Sequence, residues 1–192
     1  MPNYCDTTYK CVGDLNEVKS LHKVLKYIDK RKTSILKNGF GKWWLGNLVT
    51  KLGGDWEKYR CRGEITDYSL DENVLTINQC TAWCEQSGVR RIIEEIFPSI
   101  KVYYMEEESG CELFSTNDTS GLYFPSRYIL DSTDEWEEFD TIDEAAKFVS
   151  KIVGKAVNAS FDDVIEALEI YQEEHDDDVD KFFSFHQIEV VD

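Results

Sequence analysis

The spacing of apolar residues predicts that the chain opens with a strand and an amphipathic helix. Residues 4–12 alternate loosely between apolar and polar and are rich in Tyr, Thr and Cys, as is typical of a strand. Asp14 and Glu17 form a capping-box pattern, which marks the start of a helix. We expect this helix to run to about Arg31, because its apolar stripe at helical spacing comprises Leu15, Val18, Leu21, Leu25 and Ile28.

A hairpin and a second helix are predicted in the middle of the chain. Alternating residues at 59–68 and Val74–Gln79 predict the two strands of the hairpin. A helix opens at Ser87 or Gly88 and stops at Pro98, since proline lacks the amide that would continue it. We further expect an irregular basic segment at 32–58 that contains a short helix around Leu45–Leu52, and strands at 100–106 and 111–116.

The order strand, helix, strand, strand, helix, strand predicts an α+β fold. Two split β-α-β units of this kind form a ferredoxin-like sandwich, an antiparallel sheet with two helices on one face. The strand at 111–116 would extend the edge of that sheet. We therefore assign residues 1–118 to a ferredoxin-like domain and residues 119–192 to an additional acidic α/β extension packed on it.

The C-terminal extension has predicted elements of its own. Residues 122–131 are strand-like, with one apolar side formed by Leu122, Phe124, Tyr128 and Leu130. Thr141 and Ser160 are expected to cap two helices. A short strand at 136–139 and a closing strand at 182–191 complete the extension.

Charge is distributed unevenly along the chain. Residues 1–60 hold 12 Lys/Arg against 6 Asp/Glu, residues 61–132 hold 5 against 13, and residues 133–192 hold 4 against 19, for a net charge of −17. A gradient of this size indicates that the two ends face different partners or face each other. The basic N-terminal helix could therefore meet the acidic C-terminal one in a head-to-tail or homodimeric association.

Composition favours a folded, cytoplasmic protein. Apolar residues make up 42% of the chain, too high a fraction for disorder. We expect no signal peptide at Met1–Asp6 and no membrane contact, because no apolar run approaches the ~18 residues that span a bilayer. Six cysteines in a reducing compartment are expected to be buried thiols. Cys80 and Cys84 are a weak candidate metal pair, without a second pair or histidine at ligand spacing, and no cofactor is expected.

Several motifs resemble one bacterial protein family. The opening Met1–Cys5, then Gly13-Asp14 and a helix, is similar to the YubB-like ferredoxin-like domain proteins of phages and plasmids, and so are Thr81-Ala82-Trp83, Val102–Tyr104 and Glu106–Gly110. The resemblance covers about residues 1–117. It implies the ferredoxin-like fold and an origin in a mobile genetic element, and it implies no activity, because the family is uncharacterised. Cys84-Glu85-Gln86 stands where that family commonly has Ser-Pro-Pro.

No catalytic signature is present, so the candidate site residues are binding residues. Lys42, Trp43 and Trp44 combine aromatic rings, which stack on bases, with a lysine, which attracts phosphate. The alternative is that Trp43 and Trp44 anchor their loop to the core. Trp83 and Tyr103, the aromatic residues of two of the motifs, complete the candidate set.

The sequence therefore favours a non-catalytic binding or accessory protein that acts through contacts with another protein or with itself. One alternative is nucleic-acid binding through the Lys42–Trp44 loop, which the net charge of −17 disfavours. Another is an acidic mimic of DNA that blocks DNA-binding proteins, based on the carboxylates at 162–178. Acidic surfaces also serve solubility alone.

Overall fold

The computed structural model describes residues 3–133, 135–175 and 182–191. It divides into two compact units, Met1–Leu113 (unit 1) and Phe114–Asp192 (unit 2). The helices are α1 (Leu15–Lys30), α2 (Leu45–Lys51), α3 (Ser87–Ile96), α4 (Ile142–Val153) and α5 (Phe161–Glu174). The strands are β1 (Tyr4–Val12), β2 (Gly63–Asp71), β3 (Val74–Ala82), β4 (Lys101–Glu108), β5 (Leu113–Thr116), β6 (Tyr128–Ser132), β7 (Trp136–Phe139), β8 (Phe183–Gln187) and β9 (Glu189–Val190).

Unit 1 is built on antiparallel strands in the order β2-β3-β1-β4. The central strands β1 and β3 pair over their full length, from Tyr4 opposite Ala82 to Val12 opposite Val74. Strand β4 pairs with the other side of β1, and β2 pairs with β3. The α+β class predicted from the sequence is confirmed. The ferredoxin-like assignment stays a prediction, and this strand order supports it.

Helix α1 forms where the capping box and the apolar stripe predict it. The Asp14 carboxylate caps the helix by accepting a hydrogen bond from the Asn16 amide at 2.9 Å. The buried side of the helix consists of Val18, Leu21, Leu25 and Ile28. Burial of such side chains stabilises the fold by roughly 1.5–3 kcal/mol each, so the stripe fixes which face of α1 meets the sheet.

Unit 2 contains a three-stranded antiparallel sheet and two helices. Strand β6 lies between β7 and β8, and β5 pairs in parallel with β9. Helices α4 and α5 begin at the predicted caps Thr141 and Ser160, whose side chains accept hydrogen bonds from the amides of Glu144 and Asp163. The core of the unit comprises Leu130, Phe139, Ala145, Ala146, Val149, Val164, Ala167, Leu168 and Phe185.

The predicted strand at 122–131 is wrong in its first half, because the strand begins only at Tyr128. Leu122 is 71% exposed, whereas Leu130 is 1% exposed, so they do not share a buried face. The buried Asp118 carboxylate accepts hydrogen bonds from the Tyr123 and Phe124 amides at 2.6 and 3.0 Å. The Asp118 carboxylate thus accepts the backbone hydrogen bonds that a neighbouring strand would otherwise accept, and the segment turns around this side chain.

Hydrogen bonding lowers the pKa of Asp118. Burial alone would raise it, but donors at the Ser120 hydroxyl and the Tyr123 and Phe124 amides outweigh burial. A carboxyl with a depressed folded-state pKa contributes stability above its ordinary pKa of 3.8, and that contribution disappears as the pH falls through the folded-state value.

Asp118→Asn should therefore lower the free energy of unfolding by about 2–3 kcal/mol at neutral pH, because a buried charged acceptor of several hydrogen bonds is lost. Urea denaturation followed by circular dichroism measures this loss. The difference from wild type should shrink at acidic pH. Asp71→Asn, at an exposed residue of unit 1, is the control. Equal stability of Asp118→Asn and Asp71→Asn would contradict the role given to Asp118.

Candidate functional site

Unit 1 carries an open cleft of about 1110 Å³. Six aromatic residues line it: Tyr4, Phe40, Trp44, Trp56, Tyr59 and Trp83. We call it the aromatic cleft. Three of these residues are strongly exposed, at 68% for Tyr4, 61% for Phe40 and 47% for Trp83. Exposed aromatic side chains gathered around one concavity are typical of a binding surface.

One wall of the aromatic cleft is a loop held by a buried side chain of α2. Asn47 is fully buried, and its Oδ1 accepts hydrogen bonds from the Ile35 and Leu36 amides, both at 3.1 Å. Its Nδ2 donates to the Gly41 carbonyl at 2.9 Å. One amide side chain therefore fixes both ends of the loop at 35–41, which presents Phe40.

Trp44 forms the base of this wall. It is buried, and its Nε1 donates a hydrogen bond to the Cys61 carbonyl at 2.6 Å. The Phe40 and Trp56 rings pack against it at centroid distances of 5.1 and 5.2 Å. Gly46 lies directly against the Trp44 ring, where any Cβ would clash with it. The absence of a side chain at Gly46 therefore lets the indole lie against α2.

Trp83 lines the aromatic cleft from the loop that follows β3, at 83–86. Trp83 has a left-handed backbone conformation, with φ of 74°, and its amide donates to the Asn3 carbonyl at 3.0 Å. Tyr4 lies beside it, paired with Ala82. A left-handed conformation is costly for a residue with a side chain, so it persists only where the surroundings hold it.

Glu85 supplies several of the hydrogen bonds that fix loop 83–86 in place. Its carboxylate accepts hydrogen bonds from the buried Tyr9 hydroxyl and from the Arg90 guanidinium, the latter at 3.2 Å. Its amide donates to the Glu106 carboxylate at 2.6 Å. Arg90 also lies over the Tyr104 ring at 5.1 Å. The loop is thereby attached to the half-buried Arg90 of α3 and to the buried Glu106 of β4.

Burial determines the titration of this group. Burial raises the pKa of Glu85 above its ordinary value of 4.5, although the hydrogen bond from Tyr9 and the charge of Arg90 oppose the shift. The pKa of Tyr9 also lies well above its usual value, mainly because of burial and secondly because of the Glu85 charge.

Gln86 joins loop 83–86 to segment 57–62, which also lines the aromatic cleft. Its side-chain oxygen accepts a hydrogen bond from the Arg62 amide at 3.1 Å, and its Nε2 donates to the Cys84 carbonyl at 2.8 Å. Segment 57–62 and loop 83–86 are therefore joined directly. We conclude that the aromatic cleft is formed by the chain itself, before any ligand binds.

The charges around the aromatic cleft are of both signs. Lys58, Arg60 and Arg62 line it together with Glu57 and Glu64. Lys58 is paired with Asp55 at 3.6 Å. Within the part of the chain that the structure describes, the guanidinium groups of Arg60 and Arg62 form no salt bridge. The same holds for the carboxylates of Glu57 and Glu64, so the cleft offers a ligand charged groups of both signs.

The structure brings together two of the five candidate residues, Trp44 and Trp83, in the aromatic cleft. Lys42 binds the Asp29 carboxylate at 3.2 Å. Trp43 packs against the Tyr68 ring. Tyr103 lies elsewhere, on β4 under the Lys101 ammonium at 4.7 Å.

Four cleft residues, Tyr4, Phe40, Trp56 and Tyr59, were not among the candidates. They are scattered over 56 positions of sequence and meet only through the tertiary fold, so no local motif marks them. The aromatic content of the 40–59 segment was the one available signal.

The surroundings of Cys80 and Cys84 oppose ionisation of both thiols. Burial raises the pKa of both Cys80 and Cys84, and nearby carboxylates raise it further. Metal binding needs thiolates. Among residues 3–133, 135–175 and 182–191, no three His, Cys, Asp or Glu side chains are grouped as a metal site would require.

Comparisons with protein-family models, with curated proteins and with solved structures found no match to this chain. No helix in the described ranges is both long and apolar enough to cross a membrane.

Replacing Glu85 tests the anchor of loop 83–86. Glu85→Ala should lower the free energy of unfolding by about 3 kcal/mol, since the Tyr9 hydroxyl and Arg90 lose their buried partner. Glu85→Gln, which retains an acceptor for Tyr9, should cost less. Urea denaturation of both variants gives the two values, and equal loss in both would contradict the hydrogen-bonding role.

The same variants give a pH dependence. A carboxyl whose folded-state pKa is raised contributes stability below its ordinary pKa, and that contribution is lost as the pH rises through the folded-state value. The stability advantage of wild type over Glu85→Gln should therefore decrease as the pH rises above 4.5. An advantage that grows with pH would contradict the raised pKa.

Proposed function

We propose that this chain is a non-catalytic binding protein, that the aromatic cleft is its recognition site, and that its ligand is a segment of another protein. The observation that carries the proposal is a cleft formed in advance, with exposed Tyr4, Phe40 and Trp83 beside two arginines that form no salt bridge with any described residue. Tyr, Trp and Arg are the residues that dominate binding energy at protein interfaces.

The chemistry of the aromatic cleft supports binding rather than catalysis. Nucleophilic catalysis needs a nucleophile and a base within hydrogen-bonding reach of each other. The two thiols of the cleft, Cys61 and Cys80, both have pKa values raised by burial, and the described lining residues include no histidine.

Nucleic-acid binding is less well supported. A groove for single-stranded nucleic acid combines stacking aromatics with cations along the backbone path. Here Glu57 and Glu64 lie among the cations, and Lys42 is engaged by Asp29. On the two central strands, Thr8 and Asn78 face each other and are hydrogen-bonded at 3.1 Å, where an RNA-binding sheet would carry aromatic rings.

Membership of the YubB-like family, an origin in a mobile genetic element and a cytoplasmic location belong to the same proposal. The family and the mobile-element origin rest on the motifs of the first 117 residues, and the cytoplasmic location rests on composition. The DNA-mimic alternative stays a prediction, which no described contact favours over a solubilising role of the acidic surface.

Selection from a displayed library of random peptides tests the proposal. We expect peptides whose dissociation constants rise about 30-fold or more in Trp83→Ala, the loss of roughly 2 kcal/mol that defines a hot spot. Fluorescence polarisation with labelled peptides measures the change. Trp136→Ala is the matched control, because Trp136 is similarly exposed, at 41%, and belongs to unit 2.

Gly46→Ala is a second variant, at a residue outside the lining. Its Cβ would displace the Trp44 ring, so peptide binding should weaken although no lining side chain is changed. Selected peptides that bind wild type, Trp83→Ala and Gly46→Ala equally would refute the proposed site. Mixed-sequence oligonucleotides that bind through Trp83 would refute the ligand class.

A further inference from the structure

The exposed side of α1 carries a stripe of lysines. Its members are Lys19, Lys23, Lys26 and Lys30, and all four are exposed. Their spacing of four, three and four residues places them on one helical face, opposite the buried apolar stripe. Like charges at this spacing repel one another, so the lysine stripe is electrostatically unfavourable unless opposite charges lie against it.

Helix α5 carries an acidic stripe of the same geometry. Its members are Asp162, Glu166, Glu169 and Glu173, and all four are exposed. The spacing is again four, three and four residues, and the buried residues Val164, Ala167 and Leu168 occupy the other side of the helix. The chain thus presents two helical faces of opposite charge, one in each unit.

The two stripes match in length as well as in charge. At 1.5 Å per residue, each extends over roughly 16 Å of helix. The order of spacings, four, three and four residues, is the same from either end of the helix. The stripes therefore match in parallel and in antiparallel orientation. Within the described part of the chain, none of these eight side chains forms a salt bridge.

We propose that α1 of one molecule docks against α5 of a second copy of this chain. Charge complementarity is the reason for choosing this occupant. Each α1 lysine has a carboxylate counterpart at the corresponding position of α5. Next to the lysine stripe, the exposed Tyr27 ring holds the Lys51 ammonium at 4.2 Å, which enlarges the cationic surface offered to the partner.

Every copy carries both stripes, so the contact is self-complementary. Two copies can exchange it reciprocally in a closed dimer, or successive copies can exchange it head to tail. Exposed ion pairs contribute little individually, so the association is weak and depends on salt. It does not involve the aromatic cleft.

Sedimentation velocity over a range of protein concentrations tests the association. Wild type should form dimers or longer assemblies at ~0.1 M NaCl and dissociate at ~1 M, where the Debye length falls from about 10 Å to about 3 Å. A chain that stays monomeric at every concentration, or an assembly that is unaffected by salt, would overturn the proposal. Trp83→Ala should assemble like wild type.

Charge-swapped variants identify the surfaces. The first variant carries Lys19→Glu, Lys23→Glu and Lys26→Glu, and the second carries Glu166→Lys, Glu169→Lys and Glu173→Lys. Each alone should be monomeric, since its two stripes then have the same sign. An equimolar mixture should assemble again, because every α1 then meets an oppositely charged α5.

If the net charge of the molecule alone controlled assembly, the two charge-swapped variants would differ from each other in their tendency to assemble. The first variant changes the charge from −17 to −23, and the second changes it from −17 to −11. If general repulsion controlled assembly, the second variant would assemble more strongly than wild type, and that outcome would overturn the proposal.

The triple variant Lys37→Glu, Lys147→Glu and Lys155→Glu, also at −23, is the matched control and should assemble nearly like wild type. Failure of the mixture to assemble, with both variants folded by circular dichroism, would likewise refute the pairing. So would binding of oligonucleotides to the lysine stripe in a protein that stays monomeric.

Discussion

The buried carboxylate of Glu85 is the contact on which the candidate site depends. The carboxylate accepts hydrogen bonds from the Tyr9 hydroxyl and the Arg90 guanidinium. The backbone amide of Glu85 donates a hydrogen bond to the Glu106 carboxylate. Buried charges are costly unless they are paired and hydrogen-bonded, so this group has few alternative arrangements. Its fixed position determines where the chain turns after β3, and hence where Trp83 stands at the edge of the aromatic cleft.

Both units use a buried polar side chain to shape irregular backbone. Asp118 organises residues 120–124 of unit 2 by accepting backbone amides, and Asn47 does the same for the loop at 35–41 of unit 1. In each case one side chain replaces hydrogen bonds that a helix or strand would supply. Loops held in this way can present exposed aromatic rings without needing a ligand to order them.

Local signals predicted the regular elements, and long-range contacts decided the rest. The cap at Asp14 and the stripe from Val18 to Ile28 were sufficient to predict α1, because both lie within one helix. The prediction of a strand at 122–131 was wrong in its first half, because Asp118, which lies outside that segment, accepts hydrogen bonds from its amides. Trp44 and Trp83 could be selected as candidates from composition, but their meeting with Tyr4 and Phe40 depends on strand pairing and on Asn47.

Amide hydrogen exchange at Glu85 in the ligand-free protein tests most directly whether the aromatic cleft is formed in advance. We predict exchange slower than in an unstructured peptide by about a hundredfold or more, because the amide is bound to the buried Glu106 carboxylate. Glu106→Gln should reduce that protection. Exchange at the rate of an unstructured peptide in the wild-type protein would contradict a cleft formed in advance, since the loop carrying Trp83 would then be open without its ligand.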